Sequence, residues 1–419
     1  MPEKDRHNDN PKTANRKNKR IWLAAIVVLT TAIIVCLLWR PWNSESVDER
    51  LAEIEAARAI PDSENAAVIY NKLLQDPNAT SPASARPEFM DDEAIFKTSS
   101  EPWLSKDYPD LAAWVEERQD TIERLLEASG FKECRFPIAI DVQKMGQSMY
   151  RPSAMREWAY LLRFAANNDI AEGRTDDAIA KWRCLVRMSE HLRQQPSQID
   201  YIMAIIIDSI ALQLSAVYIV EGDAVETRLR QIESIRFDTK DNWAAYAEQI
   251  RIVQDLTIEK LKEEFGPIEH VKYLFNYGIY GMVKPSDADL DGLHMRLHIA
   301  SRRVNHILIA LRRYKNKHSH WPETLDEIKS LAPAEVFVDP ISGDSFVYKL
   351  ADDTFRLYSK GKNKIDEDGQ RNVTVDANTY ESMEHEDDRL FWPPRDRKAK
   401  AKPEDSTTQK PETNKNPIE

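Results

Sequence analysis

Apolar residues recur along most of this chain at helical rather than strand spacing, and from about Val47 to Met282 they predict a succession of amphipathic helices. Leu51 and Ile54 lead to a Pro61-Asp62-Ser63 break, and Ala66 to Leu74 predicts a second helix. Asp76 to Glu101 is rich in Pro, Ser and Ala and is expected to be a long loop or a partly disordered link. Leu111, Val115, Ile122, Leu125 and Leu126 restore the helical period, which stops at Gly130. Asn242 to Phe265 predicts another long helix ended by Gly266-Pro267, with Trp243, Tyr246, Ile250, Val253 and Leu256 on a core face.

Two segments are apolar over most of their length. Ile21 to Leu38 holds 18 uncharged residues, enough to cross a hydrocarbon core at ~1.5 Å per residue. Trp22, Trp39 and Trp42 stand at its ends, where amphipathic rings favour the interface. It closes on Val35-Cys36-Leu37-Leu38 without the small-residue site of a cleaved signal, so 21–42 is read as a retained membrane anchor. Tyr201 to Val220 is almost as apolar but carries Asp208 at its centre, and is expected to be a buried core helix rather than a second span. Between Trp158 and Leu192, Gly173, Ala178, Trp182 and Leu185 resemble the second half of a tetratricopeptide unit. Only one unit matches, which leaves an ordinary helical hairpin as the plainer reading.

The pattern changes near Asp291. A helix carrying Leu297, Val304, Ile307, Leu308 and Leu311 runs to Tyr314 and is followed by a loop, a short helix around Leu325 to Leu331, and strands at Phe346–Leu350 and Thr354–Tyr358. The expected fold class is therefore mainly α, with a C-terminal α+β module. Residues 1–20 form a cytoplasmic tail, 21–42 the anchor, 43–290 a helical extracytoplasmic domain, 291–392 a module able to fold alone, and 393–419 a charged, Pro-bearing disordered tail.

Charge sharpens the topology. The whole chain carries -12, yet Lys4, Arg6, Lys12, Arg16, Lys17, Lys19 and Arg20 crowd the N-terminal flank. Glu45, Asp48, Glu49, Glu53 and Glu55 follow the anchor, so the positive-inside bias places the N-terminus in the cytoplasm and the body outside. The acidic body argues against nucleic-acid binding. Cys134 and Cys184 are left outside the anchor, either bridged in an oxidising compartment or buried as free thiols.

The C-terminal pattern has a counterpart. Ala310-Leu311 and Tyr314, Trp321-Pro322 before Glu323-Thr324-Leu325, Asp339-Pro340 with Gly343, Phe346, Tyr348, and Phe355-Arg356-Leu357-Tyr358-Ser359-Lys360-Gly361 stand together. Residues from about 294 to 369 thereby resemble the globular domain of the major pseudopilin of type II secretion systems. The cleaved leader of that family, continuous with its module, has no counterpart here; 43–290 lies between anchor and module, so pilin-like polymerisation is not expected. The resemblance implies a calcium site in the loop 361–369, where Asn363, Asp366 and Asp368 would supply oxygens. Asn363 stands where the family often has Asp and Lys364 where it has Gly; the latter sets a positive charge in the loop, so a solvated acidic turn stays open.

No phosphate-binding glycine loop, nucleophile elbow or paired-cysteine metal motif occurs. His294 and His298 share a helix face without the glutamate of a zinc protease, and are read as a coincidental surface pair. Asp208 is the most unusual ionisable residue, expected to be paired with an arginine such as Arg163 or Arg187, with a catalytic role as the alternative. The functional expectation is a membrane-anchored, envelope-facing interaction or scaffold protein that binds protein partners. The rivals are an anchored hydrolase-type enzyme with its site in the helical domain, and an accessory component of a secretion or pilus-like machine.

Overall fold

In the computed structural model, side-chain caps from Ser46, Asp91 and Ser197 open the helices that begin at Val47, Asp92 and Gln198. The structure describes residues 46–80, 87–140, 142–235, 243–276, 288–351, 353–369 and 388–393, leaving aside the side chains of 142–149, 243–245, 267–276 and 288–294. The expected cytoplasmic tail, the anchor and the segment after Pro393 lie outside the described residues. The chain separates into two units at Ala59 and Ile60. The first contributes helix α1 (Val47–Arg58), opened by a capping box in which Ser46 Oγ accepts from Glu49 N–H and Glu49 accepts from Ser46 N–H.

The second unit is mainly helical. Its helices are α2 (Ala67–Gln75), α3 (Pro77–Thr80), α4 (Asp92–Ser100), α5 (Pro109–Glu116), α6 (Gln119–Ser129), α7 (Val142–Ala171) and α8 (Thr175–Arg193). They are followed by α9 (Gln198–Glu221), α10 (Glu226–Glu233), α11 (Trp243–Asn276) and α12 (Ala288–His318). Part of the expected loop 76–101 is helical instead: α4 starts where the Asp91 carboxylate accepts from Ala94 N–H at 2.7 Å, a cap that composition alone hides. Gly266, at φ 74° and ψ 173°, leaves helical geometry and divides α11 into two helices across a kink, at the expected stop Gly266-Pro267.

Helices α7 and α8 form the hairpin seen in the sequence. Gly173 makes its turn at φ 78°, a left-handed conformation that glycine adopts without a Cβ penalty. Asp169 closes the turn from α7, accepting from Arg174 Nε at 2.8 Å and from Lys181 Nζ at 2.5 Å. Trp182 and Leu185 on α8 are fully buried. Helix α9 is long and apolar enough to cross a membrane, yet it packs against α7, α8 and α12, with Ala204, Ile207, Asp208, Ala211 and Ser215 buried. That matches the core-helix expectation.

The small sheet follows α12. Strand β1 (Val347–Ala351) pairs antiparallel with β2 (Thr354–Ser359), and β2 with β3 (Arg389–Trp392). The first two were expected; β3, of 4 residues, was not. Phe346, Phe355, Leu357 and Trp392 join the same hydrophobic core as Ile307, Leu308 and Leu311 of α12 and Ala211, Leu214 and Ile219 of α9. Body and sheet thus contribute to one hydrophobic core, with α12 supplying Ile307, Leu308 and Leu311.

Candidate functional site

Helices α9 and α12 run parallel, and polar side chains mark their contact. On α9, Tyr201, Asp208 and Ser215 recur every seven residues; on α12, Met295 and Arg302, then His298, Asn305 and Arg312, keep the same step. Seven residues make about two helical turns, so each set returns to one face. Tyr201 OH donates to Met295 Sδ at 3.1 Å, Arg302 Nε to Asp208 at 2.8 Å, and Asn305 Nδ2 to Ser215 Oγ at 2.8 Å. Beyond them Arg312 donates to the Ile219 and Val220 carbonyls, which caps the C-terminal turn of α9, and Asn316 donates to Ala224. The partners stand 90 to 94 positions apart throughout, which is how a parallel pair in fixed register reads. Ala204 and Ala211, both buried, keep the α9 side of the seam narrow.

The densest point is Asp208. Its Oδ2 lies 2.8 Å from Arg302 Nε, 3.2 Å from His298 Nε2 and 3.8 Å from Arg193 Nη2. Burial by itself raises the Asp208 carboxyl; the Arg302 guanidinium, with that of Arg193 behind it, more than offsets this and holds it at about 2. Arg193 Nη2 also reaches His298 Nε2 at 2.6 Å. A guanidinium only donates, so this nitrogen accepts and the imidazole is neutral with its proton on Nδ1. Burial keeps His298 well below its ordinary value. Asp208 Oδ1 and His298 Nδ1 are buried without hydrogen-bond partners among the described residues.

This corrects two sequence expectations. The charged partners of Asp208 are Arg302 and Arg193, not Arg163 or Arg187. Arg163 instead donates to the Ser99 carbonyl, and Arg187 pairs with Glu190 at 2.6 Å. His298 is buried in the seam rather than exposed, while the His294 side chain lies outside the described residues. The cluster joins an Asp, a His and two Arg, but the His298 lone pair that would take a proton in base catalysis is held by Arg193. Cys134 and Cys184 are both buried and form no disulfide with each other, and burial pushes the Cys184 thiol up to about 12.

The residues that carried the pseudopilin resemblance come together at the sheet. Asp339 is buried and accepts from Ile341 N–H at 2.9 Å, Ser342 N–H at 3.2 Å, Ser342 Oγ at 2.5 Å and Ser359 Oγ at 2.6 Å. Ser359 Oγ in turn accepts from Gly361 N–H at 3.0 Å, so one carboxylate ties the turn before β1 to the start of the loop 361–369. Trp321 Nε1 donates to the Asp353 carbonyl at 2.9 Å and Tyr348 OH to the Pro322 carbonyl at 2.8 Å.

Within that loop Asp366 and Asp368 do converge, on Lys349 of β1. Its Nζ lies 3.1 Å from Asp366 Oδ2 and 3.0 Å from Asp368 Oδ1, while Arg356 Nη1 lies 2.8 Å from Asp368 Oδ2. Tyr358 OH donates to Asp366 Oδ1 at 2.6 Å. Asn363 is turned elsewhere: its oxygen accepts from Ile365 N–H at 2.9 Å and its amide donates to Glu367 at 3.0 Å. Lys364 takes φ 59°, and its ammonium leaves the loop towards Asp344, 3.7 Å away. Among the described residues no group of three or more His, Cys, Asp or Glu stands together as metal ligands would. Comparison with protein-family models, curated proteins and solved structures gives no match.

Proposed function

We propose that this chain is a single-pass membrane-anchored, envelope-facing interaction or scaffold protein. In this reading 21–42 crosses the bilayer, 1–20 stays in the cytoplasm, and the remainder presents a rigid surface outside to protein partners. The C-terminal helix and sheet form a pseudopilin-like module fused to the helical body. The observation that carries the reading is the polar seam between α9 and α12, where the buried charges join helix to helix. A catalytic centre keeps at least one reactive group directed at a cavity. At Asp208 the oxygen in contact faces Arg302 and Arg193, and the histidine lone pair faces the same Arg193, as suits a structural joint.

Two measurements test this. Protease added to intact spheroplasts should digest the body and spare the N-terminal tail; protection of the whole C-terminal region would overturn the topology. Thermal melting separates scaffold from enzyme. Natural active sites are built at a cost in stability, so replacing a catalytic group often leaves the fold as stable or more so. Asp208→Asn and His298→Gln should lower the melting temperature, and a rise in both variants would favour the anchored enzyme.

A further inference from the structure

The loop 361–369 is shaped to bring its carboxylates back over the sheet. Lys364 and Asp368 take φ values of 59° and 60°, and Gly369 takes 72° where a Cβ would come within 3.3 Å of Leu390. Below the loop, Lys349 and Arg356 are directly opposite in the β1–β2 register. Two cations facing each other across a ladder repel and destabilise it unless anions stand between them. Asp366 and Asp368 are those anions, and Lys349 Nζ also lies 5.4 Å from the Tyr358 ring centre.

The resemblance implies calcium here, and the donor set does not suit it. Calcium takes six to eight oxygens, including several not committed elsewhere. Asp366 Oδ1 already accepts from Tyr358 OH and Asp368 N–H, both Asp368 oxygens face cations, and the Asn363 oxygen closes a local turn. A divalent ion would have to sit beside an ammonium held between the same carboxylates. Lys364, which the sequence places inside the loop, is not that competing charge because it points to Asp344.

We propose that Lys349, supported by Arg356, is the built-in cation of this loop, so that the loop keeps its shape without calcium and gains a calcium requirement only when Lys349 is removed. The inference does not depend on the anchored-scaffold reading and would stand if that reading failed. It also turns the expected metal dependence into a dependence on ionic strength, because the network is partly exposed and screened by salt.

Hydrogen exchange of the amides from Gly361 to Gly369, followed by mass spectrometry on the full chain in detergent, reads the loop directly. Wild-type protection should be the same in millimolar calcium and in EDTA. Lys349→Gln should exchange faster in EDTA and recover its protection in calcium, with terbium emission sensitised through Tyr358 appearing only in this variant. Asp368→Asn added to Lys349→Gln should abolish that recovery. Lys349→Arg, which keeps the charge, should behave as wild type and shows that the site tolerates substitution. Calcium-dependent protection in the wild type would overturn the proposal. So would Lys349→Gln with unchanged protection, or with a loss that calcium does not restore.

Discussion

Arg302 on α12 holds Asp208 on α9 at 2.8 Å, across 94 positions of sequence and with both side chains buried. Buried pairs of this kind are poor sources of net stability, because desolvation cancels much of the attraction; they matter when one member is removed. Asp208→Ala should therefore destabilise the body by about 3–5 kcal/mol. Replacing both partners by leucine should recover most of that loss. Chemical denaturation of the two variants measures this, and equal loss in both would mean that the pair is net stabilising.

A second expectation concerns acid. His191 Nε2 lies 3.1 Å from the Phe131 carbonyl, to which it must donate, so Nδ1 accepts from Tyr70 OH at 3.0 Å and the ring is neutral. Burial lowers this histidine from 6.5 to about 4. Below 6.5 the unfolded chain takes a proton that the folded chain refuses until about 4. Stability is thus complete above 6.5 and declines as the pH falls through that window, by roughly 3 kcal/mol at ~1.4 kcal/mol per unit. His191→Gln keeps a donor and an acceptor but cannot titrate, and its denaturation midpoint should vary less with pH over this range. His298, depressed in the same direction, leaves a residual slope in the variant.

Residues 291–393 expressed alone should not fold. Ile307, Leu308 and Leu311 belong to a core shared with α9, and Arg312 and Asn316 take their acceptors from the end of α9 and the residues after it. A fragment without α9 exposes that apolar stripe to water and takes away the carbonyls that hold Arg312. Poorly dispersed amide resonances are expected; sharp, dispersed ones would restore the independent module that the sequence suggests.

Asp339→Ala should cost about 2–4 kcal/mol, since two N–H groups and two hydroxyls lose their acceptor in a buried place. The accompanying sign is faster hydrogen exchange at Gly361, which depends on Ser359 for its acceptor. Unchanged exchange there would show that the loop is held from its other end.

What the sequence made legible follows the range of the interactions. Helix α9 is readable as core because its apolar residues surround a lone Asp208, and β1 and β2 because alternation is local. The α4 helix is hidden by a Pro- and Ser-rich neighbourhood and betrayed only by the Asp91 cap. Arg302 is invisible as the partner of Asp208 because nothing local selects one arginine among many. Its seven-residue spacing from Met295, with the same step from His298 to Asn305 and Arg312, was the available signal. Lys349 was missed for a related reason: its role depends on facing Arg356 across a hairpin and on a loop that folds back.

The parallel arrangement of α9 and α12 has a mechanical consequence. Helix α12 has 31 residues, about 46 Å of stiff rod at 1.5 Å per residue, and the sheet follows its C-terminal end. A pull on the sheet along this rod loads the ties from Tyr201–Met295 to Ala224–Asn316 together, in shear, because they are spread along the direction of the load. A pull across the rod would open them one at a time, like a zip. The joint should therefore bear tension along the helix far better than peeling across it.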